Sequence, residues 1–170
     1  MRKADVVLAR IAGAFLSTAI VFAATGAALA ENTLLLTPFS YLDTSGEPRD
    51  QSAEHARRLA SMEADLKNIL QAKGVFHIVT APQDSPPCPT GETDCILKQA
   101  RAAGAQLVLA GAVQKASTME SNVWMGVFEA SDGKRVFFRQ ATFRGDTDDA
   151  WRHAAAFLSR EIVENPPAGQ

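Results

Sequence analysis

The chain has 170 residues, 46% hydrophobic and 21% charged, with 17 basic residues against 19 acidic. These proportions suit one ordinary globular domain with its own core. The slight acidic excess offers no electrostatic pull toward nucleic acid or an anionic lipid surface, which excludes both as partners on charge.

The amino-terminal stretch is predicted to be a secretory leader. Arg2, Lys3 and Arg10 precede an apolar run from Ile11 to about Ala24. Ala28-Leu29-Ala30 then places small residues at both positions a signal peptidase reads. Residues 1–30 are therefore expected to be a signal peptide, cleaved between Ala30 and Glu31. The competing reading is an uncleaved anchor, because Ile11 to Ala30 is long enough to span a bilayer. The small-residue tail and the lack of aromatic or basic residues after Ala30 favour cleavage. No cysteine follows the apolar run, which argues against a lipid anchor. The expected mature protein is periplasmic, with no membrane contact once the leader is removed. It holds 14 basic against 18 acidic residues, a net charge of −4. Residues 31–165 are expected to form a single α/β domain, and residues 166–170 a disordered tail.

Thr33 to Phe39 is a short apolar run without alternation, the pattern of a strand buried on both faces, and Pro38 marks the end of its pairing. Asp43 to Pro48 is rich in turn formers. Ser52 to Ala72 is predicted to be a long helix, with Ala56, Leu59, Met62, Leu66, Ile69 and Leu70 on one stripe and Gly74 as its stop. Val75 to Val79 reads as a second strand. Cys88 and Cys95 follow in a proline-rich segment. In an oxidising compartment such a lone pair most often forms a structural disulfide, and closing so short a loop restricts the unfolded chain by roughly 2–3 kcal/mol. A redox-active pair is the alternative, although such pairs usually have two intervening residues.

Thr93 to Ala103 is a shorter predicted helix. Leu107 to Val113 is the most apolar run after the leader and is expected to be a central strand, with Gly111 marking close packing of a helix on the sheet. Strands over Ser121–Ala130 and Arg135–Phe143 flank Asp132-Gly133, a strong hairpin signal. Thr147 caps a last helix with Trp151, Ala155, Leu158 and Ile162 on its buried stripe, and Asn165-Pro166-Pro167 stops it. The order β-α-β-α-β-β-β-α implies a single mixed sheet of about five strands with helices mainly on one face.

Leu34 to Phe39, the long helix, Gly74 to Val79 and Ala103 to Val113 together resemble the amino-terminal domain of the translocation protein TolB and the curli secretion lipoprotein family. Asp43-Thr44-Ser45, Val113-Gln114-Lys115 and Arg144 to Arg152 resemble more specifically an uncharacterised family of exported proteobacterial proteins, domain of unknown function 2380. The resemblance implies this fold across nearly all of the mature chain and carries no activity with it. It also implies a place near periplasmic quinoprotein alcohol dehydrogenases for some relatives.

The residues themselves show no catalytic constellation. His55, His77 and His153 lie in separate elements without ligand spacing. His77 reads as a partly exposed strand residue, and His55 and His153 as solvated helix positions. Neither Ser45 nor Ser131 sits in the sharp turn a nucleophilic serine needs, and no glycine-rich phosphate loop is present. No cofactor or metal is expected, and the chain reads as a non-enzyme. Two surface features remain. Asp43, Thr44 and Ser45 leave a strand at its carboxyl end, where open sheets bind ligands, although a capped turn explains them too. Trp124 and Phe128 alternate with Val123, Met125 and Val127, so they share a sheet face, which Phe137 and Phe143 are expected to extend. A sheet face that binds another envelope protein is the leading functional reading. A small-molecule binder or enzyme at Asp43–Ser45, and a thiol redox accessory at Cys88 and Cys95, are the alternatives.

Overall fold

The computed structural model describes residues 32–89 and 91–167. The leader and its cleavage point at Ala30 and Glu31 lie outside these residues. The strands are β1 (Asn32–Leu36), β2 (Ser40–Asp43), β3 (Phe76–Val79), β4 (Leu107–Lys115), β5 (Glu120–Glu129) and β6 (Arg135–Arg144). The helices are α1 (Ser52–Ala72), α2 (Thr93–Ala102) and α3 (Asp148–Glu164). One mixed sheet runs in the order β3-β1-β4-β5-β6, with β2 also paired to β4. β1 and β2 both lie parallel to β4, and β4, β5 and β6 are antiparallel.

The sheet has six strands rather than five because the first apolar run breaks at Pro38. Leu36 faces Leu109 and Ser40 faces Ala112, so one extra residue is accommodated beside β4. Pro38 has no amide to donate, and the Phe39 amide turns out of the ladder to donate to Glu63 Oε1 on α1 at 2.7 Å. The Phe39 ring then packs over Gly111. A Cβ built on Gly111 would stand 2.3 Å from its ring edge. Gly111 therefore admits this ring, and not a helix as the sequence implied.

The two faces are covered unequally. α1 and α3 pack on one face, where Met62, Leu66, Leu70, Trp151, Leu158 and Ile162 meet Leu34, Leu109, Val123, Met125 and Val127. α2 lies on the other, where Leu97 and Ala100 meet Leu35, Val108 and Ala130. Leu34 and Leu35 are thus buried on opposite faces, which is why the run lacks alternation. Among the described residues no helix is long and apolar enough to cross a membrane.

Thr147 Oγ1 accepts the Ala150 amide at 3.2 Å and starts α3. Beyond α3, Pro167 is buried and its carbonyl accepts Asn32 Nδ2 at 3.2 Å, while Pro166 is exposed.

Because backbone and ring meet directly at Gly111, Gly111→Ala should destabilise the protein by about 1–3 kcal/mol through overpacking. Combined with Phe39→Leu, the substitution should cost less than the two singles summed. Denaturant titration of the three variants measures this, and simple additivity would contradict the close contact.

Candidate functional site

The carboxyl end of β4 carries the most unusual group in the molecule. Leu107, Leu109, Val113 and Lys115 share the parity that faces α1 and α3, so the strand drives a charged side chain inward. Lys115 is only 1% exposed. Its ammonium donates to Glu47 and, at 3.2 Å each, to Gln51 Oε1 and Asp146 Oδ2. Asp146 also takes His55 Nε2 at 2.8 Å and Arg58 Nη1 at 2.7 Å, and Trp151 Nε1 lies 3.4 Å from it. Arg58 and Arg57 continue outward to Asp148. Segments far apart in sequence, the β2–α1 connection, α1, β4 and the β6–α3 connection, thus share one buried ionic cluster.

His55 is the correction this cluster forces. It is 1% exposed, not solvated, because it stands one turn before Leu59 on the α1 stripe. Its ring stacks on Tyr41 at 4.9 Å and lies 6.2 Å from Trp151. His77 and His153 are exposed, in β3 and α3.

Electrostatics in the cluster favour the ionised forms. Burial works against the Asp146 carboxylate, but hydrogen bonds from His55 and Lys115 and the Arg58 charge outweigh it and hold its pKa below the ordinary value. Burial likewise works against the Lys115 ammonium, and its bonds to Glu47 and Asp146 outweigh that and raise its pKa. Arg57 and Arg58 bring the Asp148 carboxyl down to about 2. Two turns along α1 from His55, burial pushes the Glu63 carboxyl up, against the lowering effect of the Phe39 amide. Burial, with Asp43 and Asp146 nearby, raises Tyr41. Among the described residues no group of three histidine, cysteine or acidic side chains is placed to hold a metal.

The residues singled out in the sequence fall into two places. Asp43 ends β2, and its Oδ1 accepts both the amide of Ser45 at 2.9 Å and its hydroxyl at 2.6 Å, forming a closed turn. Thr44 is tied through its amide and hydroxyl to the Lys115 carbonyl. The turn therefore braces the cluster, and the strand it leaves is the second rather than the first. Trp124 and Phe128 lie half-buried on the face opposite Val123, Met125 and Val127. Phe137 and Phe143 do not join them. Both face the helices, with Phe143 edge-on to Trp151 at 5.6 Å. Phe138 takes their place on the open face, 40% exposed.

Beside Phe128 the open face deepens into an apolar groove of about 750 Å³. Val108, Ala110 and Gly111 form its floor, and Ile96 and Leu97 from α2 form one wall. Pro86, Pro87 and Cys88 form the other, in the loop where Cys88 and Cys95 are joined as a disulfide.

The cluster gives stability a definite pH dependence. Because the Asp146 pKa is depressed on folding, its contribution is complete above its unfolded value of 3.8 and is lost as the pH falls through the lower folded value. Asp146→Asn should cost about 3 kcal/mol near neutrality by leaving buried cations unpaired. It should also flatten the acid limb of the stability curve measured by thermal unfolding against pH. An unchanged acid limb in the variant would contradict the assignment.

Comparison with known proteins assigns no activity. The PelC dodecamer from Paraburkholderia phytofirmans shares 19% identity over 82% of this chain and 90% of its own, with a TM-score of 0.49. The LpoB C-terminal domain from Escherichia coli shares 18% over 65% and 81%, with a TM-score of 0.47. TolB from Acinetobacter baumannii shares 12% over 81% of this chain and 29% of its own, with a TM-score of 0.47. No curated protein sequence matches at a significant level. A family model described as protein of unknown function (DUF2380) matches residues 32–163, and the chain belongs to that family.

Proposed function

We propose that this chain is an exported accessory domain of the cell envelope that acts by binding another envelope protein, not by catalysis. The observation that carries the reading is the uncovered part of the sheet. α2 shields one end of this face only. Leu42 on β2, 58% exposed, Trp124 on β5 and Phe138 on β6 form a diagonal apolar stripe across the remainder. In register, β4 lies between Leu42 and Trp124: Ala112 pairs with Trp124 and stands two residues from the Leu42 row, and Phe138 on the next strand lies two residues beyond the Trp124 row. Phe128 continues the stripe into the groove. Rigid strands hold these aromatics at little entropic cost, which is the usual character of interface anchors. The basic start, apolar run and small residues before Glu31 support export, and the Cys88–Cys95 disulfide suits an oxidising compartment. The disulfide-bonded Cys88 and Cys95 give the thiol redox reading less support.

Site-specific photo-cross-linking in the native host tests the proposal. A cross-linker replacing Phe138 should give an adduct with an envelope protein, in a chain that begins at Glu31. One replacing Ala64, on the exposed side of α1, should give none. Trp151→Ala should cost about 3–5 kcal/mol as a core truncation. Phe138→Ala should stay within about 0.5 kcal/mol of the wild type and yet abolish cross-linking from Trp124. Equal adducts from both faces, or none from Phe138, would overturn the reading.

A further inference from the structure

A second cavity lies on the helix-covered side of the sheet, away from Trp124 and Phe138. It occupies about 530 Å³ between β2 and the first turns of α1. Tyr41 and Asp43 line it from β2, Glu47 and Asp50 from the connecting loop, and His55 and Leu59 from α1.

Two buried polar atoms in its walls have no partner, His55 Nδ1 and the Tyr41 hydroxyl. The state of His55 follows from its other nitrogen. Nε2 faces the Asp146 carboxylate, which only accepts, so Nε2 carries a proton. A second N–H at Nδ1 would be buried without an acceptor, so Nδ1 presents a lone pair. A buried acceptor without a donor is costly, and a ligand that brings one recovers that cost.

Charge in the pocket has one dominant sign. Asp43, Glu47 and Asp50 are acidic. The single arginine of the lining, Arg49, is engaged by Glu54 at 2.5 Å. Asp43 is held below its ordinary pKa by the Ser45 bonds, with the Lys115 charge adding to the effect. Its Oδ1 is taken up by its own turn, as Asp50 Oδ1 is by the Ser52 amide, which leaves Oδ2 of each as a second acceptor. The Tyr41 ring, Pro48, Ala56 and Leu59 supply apolar wall.

We propose that this pocket binds a primary ammonium group on a short hydrocarbon chain. His55 Nδ1 and the Asp43 carboxylate accept its N–H donors, and Tyr41 and Leu59 hold the methylenes. Free small amines and a partner's lysine side chain present this same chemistry. An anion is rejected by the carboxylates and finds no free donor at His55.

Titration with 1,4-diaminobutane, with the capped tripeptide acetyl-Gly-Lys-Gly-amide and with succinate tests the proposal, followed by ¹⁵N NMR of the imidazole nitrogens. His55 is one of three histidines and the buried one, so its signals are separable. At millimolar concentration an amine should shift Nδ1 of His55 saturably, and succinate should not. Response to the diamine alone identifies a free amine as ligand, and response to the tripeptide alone a partner's lysine. Asp43→Asn, at an exposed position, should leave the melting temperature near that of the wild type and weaken binding by about tenfold. No response to either amine, an equal response to succinate, or unchanged affinity in Asp43→Asn would overturn the proposal. None of these outcomes bears on cross-linking from Phe138, so this reading and the protein-binding one fail separately.

Discussion

A lysine ammonium without water must be surrounded by acceptors, and the position of Lys115 at the inward-facing end of β4 imposes that demand on the whole fold. Glu47 and Gln51 answer it from the β2–α1 connection, and Asp146 from the β6–α3 connection. Asp146 in turn gathers His55 and Arg58 from α1. Hydrophobic burial favours close contact of α1 and α3 with the sheet but is non-directional. A buried charge allows one arrangement, because any shift leaves an ion unpaired in a low dielectric. Here the polar groups set the register in which the apolar stripes of both helices meet the sheet.

That constraint distributes the surfaces of the molecule. With α1 and α3 fixed on one face and the short α2 on part of the other, the stripe through Leu42, Trp124 and Phe138 has no helix above it. The break at Pro38 turns Phe39 onto Gly111 and shapes the adjoining groove. On the opposite side the ring of His55 is held by Asp146 through one nitrogen, which leaves the other without a partner beside an acidic pocket. The exposed apolar face and the polar pocket both follow from where the ionic cluster anchors the helices.

Much of this fold is legible in the sequence, because its signals are local. The 3.6-residue stripe from Leu59 to Leu70, the Asp132-Gly133 turn and the Thr147 cap each act within a few residues. The division of the first strand was half visible, since Pro38 marks the break but not that Ser40 rejoins β4. The placing of Trp124 and Phe128 on the face opposite Val123, Met125 and Val127 follows from alternation. Phe137 and Phe143 face the helices and not the open side, because Val127 pairs with Phe137 and both side chains point toward α1 and α3. The ionic cluster was missed because its members come from four separate segments. A signal for it did exist. Lys115 keeps the parity of Leu107, Leu109 and Val113, and His55 stands one turn before Leu59, so each is a polar residue at a core position of a periodic pattern.

A double-mutant cycle between Lys115 and Asp146 tests the central claim most directly. Denaturant unfolding of the wild type, Lys115→Met, Asp146→Asn and the double variant gives their coupling. If the buried ammonium and carboxylate depend on each other, the double variant should be less destabilised than the sum of the singles by about 2 kcal/mol. Additive losses, with a coupling within about 0.5 kcal/mol of zero, would show that the helices are held without the cluster and would contradict the account.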